Sequence, residues 1–195
     1  MKLFLTSSGL SDINEKDFLG ILDYDLKNLR VAFISTAMNG ESEESRNKWI
    51  PISVANLEKL GLGVDIIELE KLDEKNIVST FKPFNIIYVF GGNTFYLMYY
   101  ANQSGFTKHI KEIIKDKIYF GISAGSVIAG PDVSLSQWGK DRDRNIIGLK
   151  DMRGLNLVPF SVIPHWKGQS FIESKDYPYE VRYIKDGEVI MVNKE

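Results

Sequence analysis

The chain contains no cysteine in its 195 residues. That absence removes disulfides, thiolate metal sites and every mechanism built on a cysteine nucleophile, and it is compatible with a cytoplasmic protein. Histidine is almost as scarce: His109 and His165 are the only two, so a His-rich zinc site is not expected and an imidazole base has two candidates. No apolar run approaches the ~18 residues of a membrane span. The opening MKLFLTSSGL is broken by Thr6, Ser7 and Ser8 too early for a signal sequence. Excess charge is missing as well. With 24 basic and 26 acidic residues the net charge is −2, which gives no electrostatic reason to expect nucleic acid or an anionic membrane as partner. The expectation is a soluble, unexported, cytoplasmic protein of one domain, residues 1–195, without linker, repeat or low-complexity tract.

What is present is an alternation of short β-branched or aromatic runs with amphipathic stretches. Strands are expected at Lys2–Thr6, Arg30–Thr36, Val64–Leu69, Ile86–Phe90 and Ile118–Ile122. Helices are expected within Phe18–Leu29, Glu44–Leu60, Asp73–Phe81, Thr94–Ala101 and Phe106–Ile114. In Glu44–Leu60, Trp49, Ile52, Leu57 and Leu60 recur at roughly helical spacing. Continuous apolar strands such as IIYVF belong to parallel sheets covered on both faces. The fold class is therefore α/β, a mainly parallel sheet with helices on both faces. Residues 131–154 read as a charged loop. Glu180–Ile184 and Glu188–Asn193 around Asp186-Gly187 read as a C-terminal β-hairpin.

The sequence Gly121-Ile122-Ser123-Ala124-Gly125 follows a strand and precedes a helix. A serine on such a turn is pushed out from the sheet edge in a strained conformation, and small residues two positions to either side keep the turn free of collisions. Ser123 is the candidate nucleophile. The plainer alternative is a tight turn in which Ser123 or Ser126 caps the helix. A serine nucleophile needs a base. His165, at the end of the apolar stretch Leu155–Ile163 and after Pro164, is the one plausible histidine, because His109 lies among lysines on a helix. Asp132, Asp141 and Asp143 lie between nucleophile and base, where a carboxylate would orient the imidazole. Asp141 and Asp143 are equal candidates, and a solvated loop of Asp–Arg pairs accounts for them equally well.

Four blocks taken in order resemble the aspartyl dipeptidase (dipeptidase E) family of serine peptidases, which includes the cyanophycinases. They are Phe90-Gly91-Gly92-Asn93-Thr94-Phe95, the Ser123 pentapeptide, Leu155-Asn156-Leu157-Val158-Pro159 and Pro164-His165. The resemblance implies a fold similar to class I glutamine amidotransferases, with serine in place of their cysteine. It also implies a Ser–His–acid triad of Ser123, His165 and Asp143 or, with a small shift, Asp141. The oxyanion donors are expected to be the Gly92 and Ala124 amides, and the substrate-binding residues Asn93 and Thr94. As capping residues, Asn93 and Thr94 also suit an ordinary βα turn.

The expected activity is hydrolysis of small peptides, dipeptidase-like, without cofactor or metal. The chain after His165 is shorter than in the dipeptidases, so specificity can differ from Asp-first dipeptides. Arg142, Arg144 and Arg153 are candidate partners for a substrate carboxylate, or surface ion pairs. An esterase or amidase with the same triad, a binding protein holding phosphate at Gly91–Thr94 or Thr6–Gly9, and a degenerate peptidase are the alternatives. Tyr99 and Tyr100 are candidates for a homodimer interface, core packing being the commoner use of such residues.

Overall fold

The computed structural model describes residues 1–11, 13–22, 26–138, 142–168 and 177–193. The four strands with the most continuous apolar sequence occupy the middle of one sheet. These are β1 (Lys2–Thr6), β2 (Arg30–Ile34), β4 (Ile86–Val89) and β5 (Ile118–Ile122), flanked by β3 (Gly63–Ile67) and β8 (Val189–Asn193) in the order β3-β2-β4-β5-β1-β8. Every pairing is parallel except β8 on β1.

Side chains alternate between the faces of a strand, and the two faces feed two cores. Leu3, Leu5, Ala32, Ile34, Ile87, Val89 and Tyr119 join one core. It is closed by α3 (Ile77–Phe81), α4 (Thr94–Gln103), α5 (Phe106–Ile113) and the one-turn α6 (Ala124–Val127). The opposite face carries an aromatic row. Phe4 and Phe120 centroids lie 4.8 Å apart, Phe120 and Tyr88 4.5 Å, Tyr88 and Phe33 5.2 Å, and Phe33 and Phe90 4.9 Å. Each such ring contributes about 1.5–3 kcal/mol by leaving water. Phe18 of α1 (Glu15–Ile21) and Leu57 of α2 (Glu43–Lys59) pack onto this face.

Helix α2 starts where its chemistry dictates. The Ser42 hydroxyl accepts from the Ser45 amide at 3.2 Å, and Glu43 and Glu44 occupy the first turn. Its apolar positions, however, are not all core positions. Leu57 is buried, whereas Trp49 and Ile52 are 47% and 45% exposed. The helix expected over Phe18–Leu29 begins earlier, at Glu15, and ends at Ile21; a 3-10 turn covers Leu26–Asn28. Tyr99 and Tyr100 are half-buried against the first core, with their rings 5.1 Å apart.

The tail corrects one expectation. Glu180–Tyr183 (β7) pairs in parallel with β6 (Phe160–Ile163) in a separate two-stranded sheet, while β8 adds to the main sheet beside β1. The Asp186-Gly187 turn does form, with the Glu188 amide donating to the Lys185 carbonyl at 3.0 Å and Gly187 at φ 88°. Its arms diverge, because each finds an unpaired edge elsewhere, so they form no hairpin. Among the described residues no helix is long and apolar enough to cross a membrane.

Candidate active site

Five chain segments meet at the carboxyl end of β1, β4 and β5. The central one is the turn after β5. Ser123 sits at φ 46°, ψ −110°, a conformation that L-residues avoid at a cost of about 1–3 kcal/mol. The surroundings enforce it. The Ser123 amide donates to the Thr6 carbonyl at 3.0 Å, and the Tyr119 hydroxyl donates to the Gly125 carbonyl at 2.7 Å. A Cβ on Gly125 would lie 2.0 Å from the Val89 carbonyl oxygen, and one on Gly121 2.6 Å from the Gly125 carbonyl oxygen. Both glycines of the pentapeptide are thus required by close backbone approach. The two serines divide the labour. Buried Ser126 has its hydroxyl 2.7 Å from the Thr6 carbonyl and 2.8 Å from that of Gly121. Ser123 makes no side-chain cap to α6; its Oγ lies 3.1 Å from His165 Nε2 instead.

His165 follows β6 in a left-handed conformation, φ 57°. Its backbone amide donates to the Ser7 hydroxyl at 2.7 Å. Its Nδ1 faces Asp186 Oδ1 at 2.8 Å and Ser7 Oγ at 3.2 Å. With the ring proton on Nδ1, a tautomer assigned from this network, Nδ1–H donates to Asp186 and Nε2 is free to accept from Ser123. Ser7 also donates to Asp186 Oδ1 at 2.7 Å, so one buried hydroxyl touches both the histidine backbone and the carboxylate. Burial pushes the Asp186 carboxyl up, but hydrogen bonds from Ser7 and His165, with the charges of His165 and Lys167, outweigh it and hold the group below its ordinary value. The turn bearing Asp186 is docked on the loop after β1: the Gly187 amide donates to the Ser8 hydroxyl at 3.3 Å, and Asn14 Nδ2 to the Gly187 carbonyl at 3.3 Å.

Of the candidate carboxylates, the described ones, Asp143 and Asp132, bond to other groups. Asp143 accepts the Thr94 amide through Oδ2 at 2.8 Å, and His165 Nδ1 is matched by Asp186. Burial raises the Asp143 carboxyl above its ordinary value, against the Thr94 hydrogen bonds and the charge of His165. Asp132 caps the following turn through the Ser134 amide at 2.9 Å. Asp141 lies outside the described residues. Asn93 accepts from the Tyr96 amide at 3.0 Å and donates to the Arg144 carbonyl at 2.9 Å. It is the N-cap of α4, and both it and Thr94 are buried. Their polar groups fix the loop. Arg153 pairs with Asp151, its Nε 2.9 and 3.0 Å from the two carboxylate oxygens; Arg142 and Arg144 are exposed. His109 stands apart, 3.3 Å from Glu74 on the far helix α5.

Gly92 does reach the site. At φ 124°, with Ala37 carbonyl oxygen 2.5 Å from where a Cβ would stand, only glycine fits. Gly91 packs 3.2 Å from the Ser123 Cβ by the same measure. A cavity of about 440 Å³ opens between Ser123, His165, Gly91 and Gly92. Among the described residues no group of three or more His, Asp or Glu side chains is arranged to hold a metal ion.

The profile of peptidase family S51 matches residues 3–195. The chain belongs to that family. It is 32% identical, over 96% of both chains, to an uncharacterized peptidase of Listeria monocytogenes. It is 33% identical to an uncharacterized peptidase of Listeria innocua, over 99% of this chain and 93% of the relative. A peptidase E of Nostoc is 28% identical over 77% of this chain and 56% of its own length. Among solved structures, a candidate peptidase E protein of Listeria monocytogenes superposes with a TM-score of 0.76 at 27% identity, covering 100% of this chain and 98% of that one. The S51 chain is thus a serine-type hydrolase with the α/β fold expected from its sequence.

Proposed function

We propose that this S51 peptidase cleaves small peptides, in the manner of a dipeptidase, with Ser123 as nucleophile, His165 as general base and Asp186 as the carboxylate that orients it. The observation that carries the reading is the unbroken line from Ser123 Oγ through Nε2 and Nδ1 to Asp186, at 3.1 and 2.8 Å, starting from a serine held in a strained turn. The relatives named peptidase E support peptide hydrolysis, and the cysteine-free composition supports a cytoplasmic location.

His165 Nε2 takes the Ser123 proton as Oγ adds to the scissile carbonyl. The Gly92 amide and the Ala124 amide, the first of α6, are the donors assigned to the tetrahedral oxyanion, each worth about 3–4 kcal/mol in such sites. Asp186 stabilises the imidazolium, which then protonates the leaving amine as the C–N bond breaks. Water, deprotonated by His165, cleaves the acyl-enzyme and returns the proton to Ser123.

The test is intact mass after treatment with a fluorophosphonate, run on wild type and Ser123→Ala, with dipeptide and short-ester panels beside it. One adduct on wild type, none on Ser123→Ala, and turnover of dipeptides are expected. A folded wild type that takes no adduct and cleaves nothing would refute the catalytic reading; ester turnover without peptide turnover would move it to an esterase.

A further inference from the structure

The cavity beside Ser123 is not lined like a site for an acidic residue. We infer that it receives the side chain on the acyl side of the scissile bond, and that this side chain is large and apolar. The inference rests on the assignment of Ser123 as nucleophile.

The strand order decides which part of the substrate lies where. His165 and Asp186 approach Ser123 from the side of β1 and β8. The leaving amine must stand next to His165 Nε2 to receive its proton. On the other side of Ser123, towards β4 and β2, the cavity continues past Phe90 to Met38, Leu57, Trp49 and Ile52. That half is what remains for the acyl residue, with its carbonyl oxygen directed at Gly92.

The chemistry of the lining sets the class. Besides His165, which serves as the base, its polar members among the described residues are serines, Asn56 and the Tyr88 hydroxyl, and none is a lysine, arginine, aspartate or glutamate. Lys48, whose ammonium lies 4.6 Å from the Trp49 ring centroid, is not part of the lining. Arg153 is paired with Asp151. A carboxylate placed in the half lined by Met38, Leu57, Trp49 and Ile52, away from His165, would lose water without gaining a lysine or arginine partner among the described lining residues, which is costly. Trp49 and Ile52, one turn apart on α2, are the large apolar side chains that the fold leaves unburied on this helix. Covering them with a Leu or Phe side chain removes apolar surface on both partners from water. The volume, about 440 Å³, is that of a small-molecule pocket.

Diphenyl α-aminoalkylphosphonates test this without requiring turnover, because Ser123 Oγ displaces phenoxide from phosphorus and the adduct is read by mass. Second-order inactivation rates are measured for the analogues of Phe, Leu, Ala and Asp. The Phe and Leu analogues should react about 100-fold faster than the Asp analogue and at least tenfold faster than the Ala analogue. Trp49→Ala, a change at a half-exposed position, should slow the Phe analogue by about tenfold and the Ala analogue by clearly less. An adduct on Ser123 with the Asp analogue as fast as Phe, or with Phe and Ala alike, overturns the pocket assignment and leaves the serine hydrolase standing. No adduct from any phosphonate or from a plain fluorophosphonate overturns both.

Discussion

Replacing Asp186 by Asn separates the carboxylate's charge from its place in the hydrogen-bond network. The Asn carbonyl oxygen can still accept from His165 Nδ1 and from Ser7, so ring orientation is largely kept; what is lost is the attraction between the carboxylate and the imidazolium that forms as Ser123 attacks. At an effective dielectric of about 20, unit charges ~4 Å apart attract by about 4 kcal/mol. The Asp186 side chain is 56% exposed, so solvent screens part of this and leaves about 2–3 kcal/mol. That corresponds to a fall of about 30–150-fold in kcat, with KM little changed because the carboxylate touches no substrate. The assay is steady-state hydrolysis of the best dipeptide by wild type, Asp186→Asn and Asp143→Asn, with circular dichroism to confirm folding. Turnover of Asp186→Asn within threefold of wild type, together with a collapse in Asp143→Asn, would refute the assignment and return the acid to the 131–154 loop.

Asp143→Asn should keep near-wild-type kcat and change the pH dependence of stability. Burial raises the Asp143 carboxyl above the ordinary aspartate value of 3.8, so the folded state binds the proton more tightly than the unfolded chain, and stability falls as pH rises from 3.8 through the raised folded value. The advantage of Asp143→Asn over wild type in melting temperature should therefore grow across that window and then level off. Melts from about pH 3 to about pH 7 check this, and an advantage that shrinks with rising pH would contradict it. Ser7→Ala removes the hydroxyl shared by the His165 amide and Asp186, and should lower kcat about tenfold with a smaller effect on KM. A loss of stability with kcat intact would make Ser7 merely structural.

The strands β1 and β5 have the limits expected from their sequence, Lys2–Thr6 and Ile118–Ile122, because a strand buried on both faces leaves an uninterrupted apolar run between polar ends. The strained turn at Ser123 was legible for a related reason. Its conformation is set by neighbours in the chain, and the glycines that permit it stand within two residues. That Asp186 faces His165 was not legible, because its position depends on a long-range pairing, and Asp-Gly between two apolar runs carries the same signal whether or not the arms pair with each other. Asn93 and Thr94 show the converse: residues able to bind a ligand are spent on capping α4 and holding the Asp143 loop. Trp49 and Ile52 had the spacing of a buried helix face. Periodicity places residues on one side of a helix and does not say whether core or cavity lies opposite.

The topology also explains why the carboxylate that faces His165 comes from the tail. In a parallel sheet every strand ends at the edge where the nucleophile turn lies, so a residue that begins a strand at that edge must belong to an antiparallel one. β8 is that strand. Val189 pairs with Thr6, which brings Asp186, three residues earlier, opposite Ser7 and within reach of His165. Because the carboxylate is held by a turn at the sheet edge and is half-exposed, a small carboxylate from solution should be able to occupy its place once the side chain is removed. Asp186→Ala is therefore expected to lose activity about as severely as Asp186→Asn or more, and to recover several-fold in high concentrations of formate, with chloride at equal ionic strength as control. Recovery should follow formate saturably, as binding to a site does. Equal recovery in chloride would show that ionic strength, not a carboxylate at Nδ1, restores turnover, and the role assigned to Asp186 would fail.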